Sequence, residues 1–509
     1  MSSGNIMVKK MDILIIKPGS QQQVYGALSS FNLTAIEPPL WAALLGGYLI
    51  SCGYSVLIYD AEIEHWSYEE TAEKIKEVNP LLAMVSVSGS NPTASTMNMT
   101  GAEEILRCLR EIAPEIKTVL HGVHPSALPE RTLVEEAVDF VCQGEGFHTL
   151  PALIDALKSK ADKFAIPGLW FRRGDKICAN PRPLVFNDLN ALPMPAWNLL
   201  PMKKYRAHNW HCLGNIEQRQ PYGVVYTSLG CPFKCTFCCI NAIFGKPGIR
   251  YRHPRNVIAE IDYLVDNFGI RNLKIIDELF GMNEARVGEI CDLITSRQYD
   301  LNIWAYARID TITPYMLKKM KAAGINWLAY GFESGSRKVL QGVKKSYQAE
   351  QLEDAVKMTN AEGIHIIANF MFGLPDDDYR TMQETLCLAL EINAEWGNFY
   401  TTMAYPGSRL YDEALEKGWQ LPDTWNGYSQ YAYETLPLAA GKLSAGEIIA
   451  YRDYAFDVYF KNPYYLDKIR RSFGREAVGH IQEMARQKLE RKYVQAEAIK
   501  NSAGSCISD

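Results

Sequence analysis

The sequence predicts an α/β chain in three parts: an N-terminal flavodoxin-like doubly wound parallel sheet, a partial (β/α)6 TIM barrel, and a helical C-terminal region. Two separate series of short β-branched runs, each alternating with amphipathic stretches long enough for crossover helices, predict the two sheets. Beyond Pro406 the alternation stops and aromatic residues crowd the chain, which predicts helices. With 509 residues, 47% of them apolar, there is enough chain to bury more than one core.

In the first part, residues 1–158, strands are expected at 11–18, 55–60, 82–88, 116–121 and 139–142. Doubly wound sheets take ligands beyond the carboxyl ends of their strands, near the switch in strand order. The loops at those ends carry Pro18 and Gly19, then Ser88, Gly89 and Ser90, then Gly122 with His124, then the triplet Gly144, Glu145 and Gly146. Glycine lets a backbone approach a bulky ligand closely. Ordinary βα turns with a structural or regulatory role are the alternative reading of the same residues.

Residues 159–221 read as a linker, with a hairpin around 166–175 and a proline-rich connector at 192–197. The alternation resumes over 222–406, with strands at 222–229, 273–276, 303–307, 327–330, 364–370 and 397–401. A helix opening at Pro254 has apolar residues at helical spacing and a stop at Gly269. Six βα units make an open barrel, over whose mouth another domain can dock. Polar residues follow successive strands: Asp277 and Glu278, Arg308, Glu333 and Ser334, and the turn at Gly373. Groups at the carboxyl-terminal face of a barrel read as ligand or catalytic contacts. Helix caps and surface ion pairs are the alternative for each one singly.

The first barrel strand runs into Cys231-Pro-Phe-Lys-Cys235-Thr-Phe-Cys238. Three thiolates spaced C-x3-C-x2-C on one loop can hold three irons of a [4Fe–4S] cube and leave the fourth iron open for a substrate or cofactor. A zinc knuckle would need a second Cys/His pair of matching spacing, and none lies nearby. Cys239, next to the third thiol, should point elsewhere.

This triplet, with aromatic Phe237 before its last Cys, resembles the signature of the radical S-adenosylmethionine (SAM) superfamily. Gly331-Phe-Glu-Ser-Gly335, Gly373-Leu-Pro375 and Tyr405-Pro-Gly-Ser408 are similar, in order and neighbourhood, to its members with an N-terminal cobalamin (B12)-binding domain. The resemblance covers most of the chain. It implies a [4Fe–4S] cluster on Cys231, Cys235 and Cys238. It also implies SAM held by Glu333 and Ser334 through its ribose or amino group, and by Arg308 through its carboxylate. The Gly373 turn and the Phe237 backbone would meet the adenine, and Asp277 and Glu278 are further candidates. Cobalamin would lie on Ser88, Gly89, Ser90, Gly122, His124, Gly144, Glu145 and Gly146. One departure stands out: the D-x-H-x-x-G motif that gives cobalt a His in other cobalamin proteins is absent after the first strand, and neither His121 nor His124 is an obvious substitute.

The function implied is C-methylation of an unactivated carbon through a 5′-deoxyadenosyl radical and methylcobalamin. A radical cyclase or oxidoreductase without methyl transfer, and a sensor without turnover, are the alternatives. A methylthiotransferase would need three further clustered Cys in the N-terminal part, where Cys52, Cys108 and Cys142 are dispersed. A flavodoxin or ferredoxin would supply electrons, and the substrate could be a lipid, sugar, tetrapyrrole or peptide. Net charge of −5 without a basic run argues against nucleic acid. The lack of an apolar leader or spanning run predicts a cytoplasmic protein with no transmembrane segment. Of the last part, 407–509, the aromatics are expected mostly in a core, 483–492 as a solvated helix, and 501–509 as a disordered tail.

Overall fold

The computed structural model describes residues 10–19, 24–26, 34–89, 93–160, 162, 165–345 and 347–494. Ser90 and the tail 501–509 lie outside the described residues. The first sheet is built of β1 (Ile13–Lys17), β2 (Val56–Asp60), β3 (Leu82–Ser86), β4 (Lys117–His121), β5 (Phe140–Cys142), β6 (Leu169–Arg173) and β7 (Lys176–Ala179). Their order is β2-β1-β3-β4-β5-β6-β7, with β1 to β5 parallel and β6 and β7 antiparallel. β1 and β3 are buried along their whole length, as central strands covered by helices on both faces must be. The hairpin that the sequence places in a linker is therefore the edge of this sheet. It pairs because Phe140, Val141 and Cys142 offer a free ladder to Phe171, Trp170 and Leu169.

The second sheet is all parallel. Its strands are β8 (Tyr222–Val225), β11 (Asn272–Ile275), β12 (Asn302–Ala307), β13 (Ile325–Glu333), β14 (His365–Phe372) and β15 (Trp396–Thr401), in the order β15-β14-β13-β12-β11-β8. Six strands in strict succession are the predicted open barrel. Between β8 and β11 lies a small antiparallel pair, β9 (Ser228–Leu229) with β10 (Arg250–Tyr251), which frames the cysteine loop. The helix Pro254–Phe268 starts at His253, whose side chain accepts the Arg255 amide, and stops at Gly269 in left-handed conformation, φ 67°. It buries Val257, Ile258, Ile261 and Leu264.

Helices Ala445–Phe460 and Pro463–Arg486 follow, and Tyr451, Tyr459 and Phe460 are core residues as expected, joined there by Tyr465. The charged stretch 483–492 departs from expectation. Its helix ends at Arg486, and the Arg491 side chain is only 3% exposed, donating to Asp453 at 3.1 Å and to the Gln430 carbonyl at 3.0 Å. A guanidinium satisfied on several sides can be buried where a lone charge could not.

Three buried ties join the parts. Lys274, inside the barrel on β11, reaches Glu37 of the N-terminal part at 3.0 Å. Arg250 on β10 forks onto Glu145 at 2.8 and 3.0 Å. From the C-terminal region, Trp425 Nε1 donates to Glu136 at 3.0 Å, and its ring lies edge-on to His124, 4.5 Å between centroids.

Candidate active site

The cysteine loop is held from every side. Asp277, at the end of β11, accepts the Thr227 amide (2.5 Å) and the hydroxyls of Thr227 (2.5 Å) and Ser228 (2.6 Å). Its neighbour Glu278 accepts the Gly230 amide at 3.0 Å. The Gly248 amide donates to Cys231 O, the Thr236 amide to Val343 O, and the Leu410 amide to Thr236 O. Cys231, Cys235 and Cys238 are free thiols within one another's electrostatic reach, whereas Cys239 is buried in the hydrophobic core. Burial pushes the Cys238 thiol up to about 12 and raises Cys231, so an iron must displace their protons. Among the described residues no three Cys, His, Asp or Glu side chains gather around one point as a mononuclear site requires. Three neighbouring but separate thiols suit a cube, where each ligates its own iron.

Around this loop the predicted residues divide. Arg308 stacks on Phe233 at 3.7 Å, stands 3.9 Å from Cys235 Sγ, and forks onto Asp310 at 2.8 and 2.9 Å. Glu333 ends β13 in left-handed conformation, φ 62°, and pairs with buried Lys345 at 2.5 Å. A non-glycine residue held there is strained, and such strain persists where neighbours over-determine it. Burial pushes the Glu278 carboxyl up to about 7, with Asp277 adding to the rise. Phe237 packs between two apolar clusters, one holding Leu410, Tyr411 and Leu438 and the other Val339, Val343 and Leu374.

Asp277 and Ser334 are not presented to a ligand. The Asp277 carboxylate is taken up by the loop it braces, and Ser334, 1% exposed, bonds Thr385 Oγ1 at 3.1 Å and the Ser336 amide. Gly373, φ 83°, lies against Ile448 of the C-terminal helix, where a Cβ would come within 2.7 Å, while Asp377 accepts its amide at 2.9 Å.

In the N-terminal sheet, Ser88 beyond β3 is buried, and its hydroxyl has no hydrogen-bond partner among the described residues. An orphaned buried hydroxyl at a strand's carboxyl end fits a bound ligand that would complete it. Gly89 follows it there. Gly122, φ 141°, crosses within 2.9 Å of Val87 if given a Cβ. His124 bonds Thr96 Oγ1 at 3.3 Å through Nδ1, and its buried Nε2 has no partner among the described residues. Burial, with Arg131 nearby, pushes that imidazole down to about 3. Gly144 and Gly146 flank Glu145, which does not face open space. Both its oxygens are taken by Arg250, and one also by the Phe186 amide. Lys17, which stands where the absent motif would begin, is buried between Glu62 (2.5 Å) and Asp60 (3.5 Å).

Some residues escaped the sequence reading. Lys274 on β11, Tyr306 on β12, Asn369 on β14 and Asn398 and Tyr400 on β15 are polar or aromatic residues on barrel strands, the last two spaced by two and Asn369 paired in register with Asn398. Asn398 donates to Asn369 at 3.0 Å, and Tyr400 lies within electrostatic reach of Tyr306 and of Tyr25 and Tyr431, which stack at 5.6 Å. Period-two polarity within an otherwise apolar strand was the signal available.

Fold and site together define a class: a three-thiol barrel capped by a flavodoxin-like ligand domain. The B12 binding domain family matches residues 31–154, and the Radical SAM superfamily matches residues 225–389. An uncharacterized methyltransferase of Pyrococcus horikoshii is 30% identical, over 83% of this chain and 87% of that protein. The anaerobic magnesium-protoporphyrin IX monomethyl ester cyclase of Rubrivivax gelatinosus is 26% identical, over 90% and 80%. The radical SAM methyltransferase TsrM from Kitasatospora setae, solved with cobalamin and a [4Fe–4S] cluster, has the same fold at 16% identity, with a TM-score of 0.67 over 93% of this chain and 99% of that one. The chain belongs to the radical SAM superfamily and is one of its cobalamin-binding enzymes, with a [4Fe–4S] cluster, SAM and cobalamin as cofactors. Among the described residues no helix is long and apolar enough to cross a membrane.

Proposed function

We propose that this enzyme is a radical C-methyltransferase acting on an unactivated carbon. The observation that carries the reading is the contact between the cysteine loop and the cobalamin-side loops. The short helix Asn241–Phe244 after the third thiol packs on the short helix Val123–Ala127 of the Gly122 loop, and Arg250 grips Glu145. A relative that is 30% identical over most of both chains is named a methyltransferase.

When bound, the cluster and SAM supply a one-electron reductive cleavage that yields a hydrogen-abstracting radical, and cobalamin supplies a carrier for the methyl group. Cys231, Cys235 and Cys238 would hold three irons, and Glu333, Arg308, Phe237 and the Gly373 turn would hold SAM. Ser88, Gly89, Gly122, Gly144 and Gly146 would receive cobalamin, with Asp277 and Ser334 bracing the loops that do this work. Arg308 gives Nε and Nη2 to Asp310, and its Nη1, 3.9 Å from Cys235 Sγ, would be the donor that meets a carboxylate beside the cluster. Phe233 and Phe237 cover the loop with apolar surface that keeps water from it. The inward Tyr306, Tyr400, Asn369 and Asn398 would orient the substrate. Electrons would come from a flavodoxin or ferredoxin.

The test uses anaerobically purified, iron-reconstituted chain with cobalamin, dithionite and methyl-labelled SAM. The proposal predicts 5′-deoxyadenosine and labelled methylcobalamin together. A radical cyclase or oxidoreductase is the second reading, favoured by the cyclase relative that aligns over 90% of this chain. Deoxyadenosine without labelled cobalamin, from protein with cobalamin bound, would decide for it.

A further inference from the structure

We propose that Arg250 and Glu145 are a positioning pair through which cobalamin occupancy and the state of the cluster loop are coupled. The inference rests on the reading that the Gly144-Glu-Gly146 loop receives cobalamin. On the cluster side, Arg250 is the β10 residue paired with Leu229, and two residues before it the Gly248 amide bonds the carbonyl of Cys231. Its guanidinium lies 5.1 Å over the Phe244 ring, at the end of the helix that follows the third thiol. Arg250 thus reports the position of both ends of the cysteine loop.

On the cobalamin side, Glu145 is the one residue with a side chain between Gly144, φ 100°, and Gly146, φ 89°. Glycines leave the backbone of such a loop free to adapt to a bulky ligand, so the carboxylate is its fixed point. That carboxylate is 5% exposed and the guanidinium 16%. The two make paired bonds of 2.8 and 3.0 Å, and Phe186 closes the ring by donating its amide to Glu145 at 2.8 Å and accepting from Arg250 at 2.7 Å. Apolar residues could join the two domains at least as stably as a buried ion pair. A planar fork adds fixed orientation, which an apolar contact does not. A ligand that shifts the glycine loop must therefore shift or strain the hairpin behind Cys231, and the effect is reciprocal.

The coupling is read by binding and spectroscopy on the full chain. Hydroxocobalamin is titrated into cluster-loaded and cluster-free protein, and the EPR spectrum of the dithionite-reduced cluster is recorded with and without it. The wild-type chain is expected to show affinities differing about tenfold between the two forms, within the usual range of coupling between sites, and a cluster signal that changes on adding cobalamin. Arg250→Ala should keep its iron and still bind cobalamin while both the difference and the spectral change vanish, and Arg250→Lys should retain a smaller part of each. Should Arg250→Ala not fold, Glu145→Gln, of nearly the same shape, reads the same loss. Wild-type protein that binds cobalamin with equal affinity in both forms overturns the coupling alone, as does full linkage in Arg250→Ala. Cobalamin that fails to bind the wild-type chain at all removes the loop assignment and the coupling with it.

Discussion

At the barrel mouth the surface offered to ligands is made of side chains: three thiols, the Arg308 guanidinium stacked on Phe233, and a strained Glu333 held by Lys345. At the carboxyl ends of the N-terminal sheet it is made of backbone at Gly122, Gly144 and Gly146 and of polar atoms without a partner among the described residues, such as the Ser88 hydroxyl and His124 Nε2. The charged groups there, Glu145 and Lys17, are committed to other protein groups. The difference fits the two ligands. A cluster needs covalent ligands in fixed places, whereas a large corrin needs clearance and shape. Deleting side chains should therefore disarm the first region, and adding atoms should disarm the second.

The largest effect is expected at the thiols. Cys231→Ala should drop iron content from about four per chain to near zero after reconstitution, while Cys239→Ala, at a cysteine buried in the hydrophobic core, should leave it unchanged. Iron analysis with the visible absorbance of the cluster checks both. Next comes the tie between the regions. Lys274→Ala leaves Glu37 buried without its partner and should cost about 3–5 kcal/mol of unfolding stability in a denaturant titration.

The foot of the barrel should respond to acid. Burial alone would raise the Glu395 carboxyl, but the hydrogen bond from His365, the Lys468 ammonium and the Ile366 amide together pull it down to about 2. A carboxyl lowered by folding stabilises the protein above its ordinary value near 4.5 and loses that stabilisation as pH falls towards 2. The loss should be on the order of 3 kcal/mol, seen as a melting temperature that falls more steeply with acid in the wild type than in Glu395→Gln. The smallest effect comes from adding one methyl to the N-terminal sheet. Gly122→Ala puts a Cβ 2.9 Å from Val87 in a conformation that L residues rarely adopt, and should cost about 1–3 kcal/mol while loosening cobalamin. A Gly122→Ala chain with unchanged cobalamin affinity would break the comparison drawn here.

The barrel was the more legible half for the same reason. Arg308 directly follows β12, Glu333 ends β13 and the cysteine loop follows β9, so their places at the carboxyl ends of strands could be read from apolar runs, while the roles proposed for them came from the resemblance. What spacing could not say is which polar groups brace the site and which face it. Asp277 and Glu278 are adjacent in sequence, yet Asp277 is saturated by Thr227 and Ser228 while Glu278 takes the Gly230 amide beside Cys231. In the N-terminal sheet a glycine that admits a ligand and one that admits another domain look the same in sequence, and Glu145 reads as a ligand contact until Arg250, 105 residues away, is seen holding it. The hairpin β6–β7 was legible as a hairpin but not as the sheet's edge, because pairing with β5 depends on a free ladder rather than on its own residues.

We propose that the cluster and the cobalt lie close enough to act on the same substrate, because the short helix Asn241–Phe244 after the third thiol packs on the short helix Val123–Ala127 of the Gly122 loop. The most direct measurement is EPR on full-length protein carrying both the reduced [4Fe–4S] cluster and Co(II) cobalamin, set against samples holding each alone. The account predicts magnetic interaction, with splitting or faster relaxation of both signals in the doubly loaded protein. A spectrum equal to the sum of the two separate ones would contradict it.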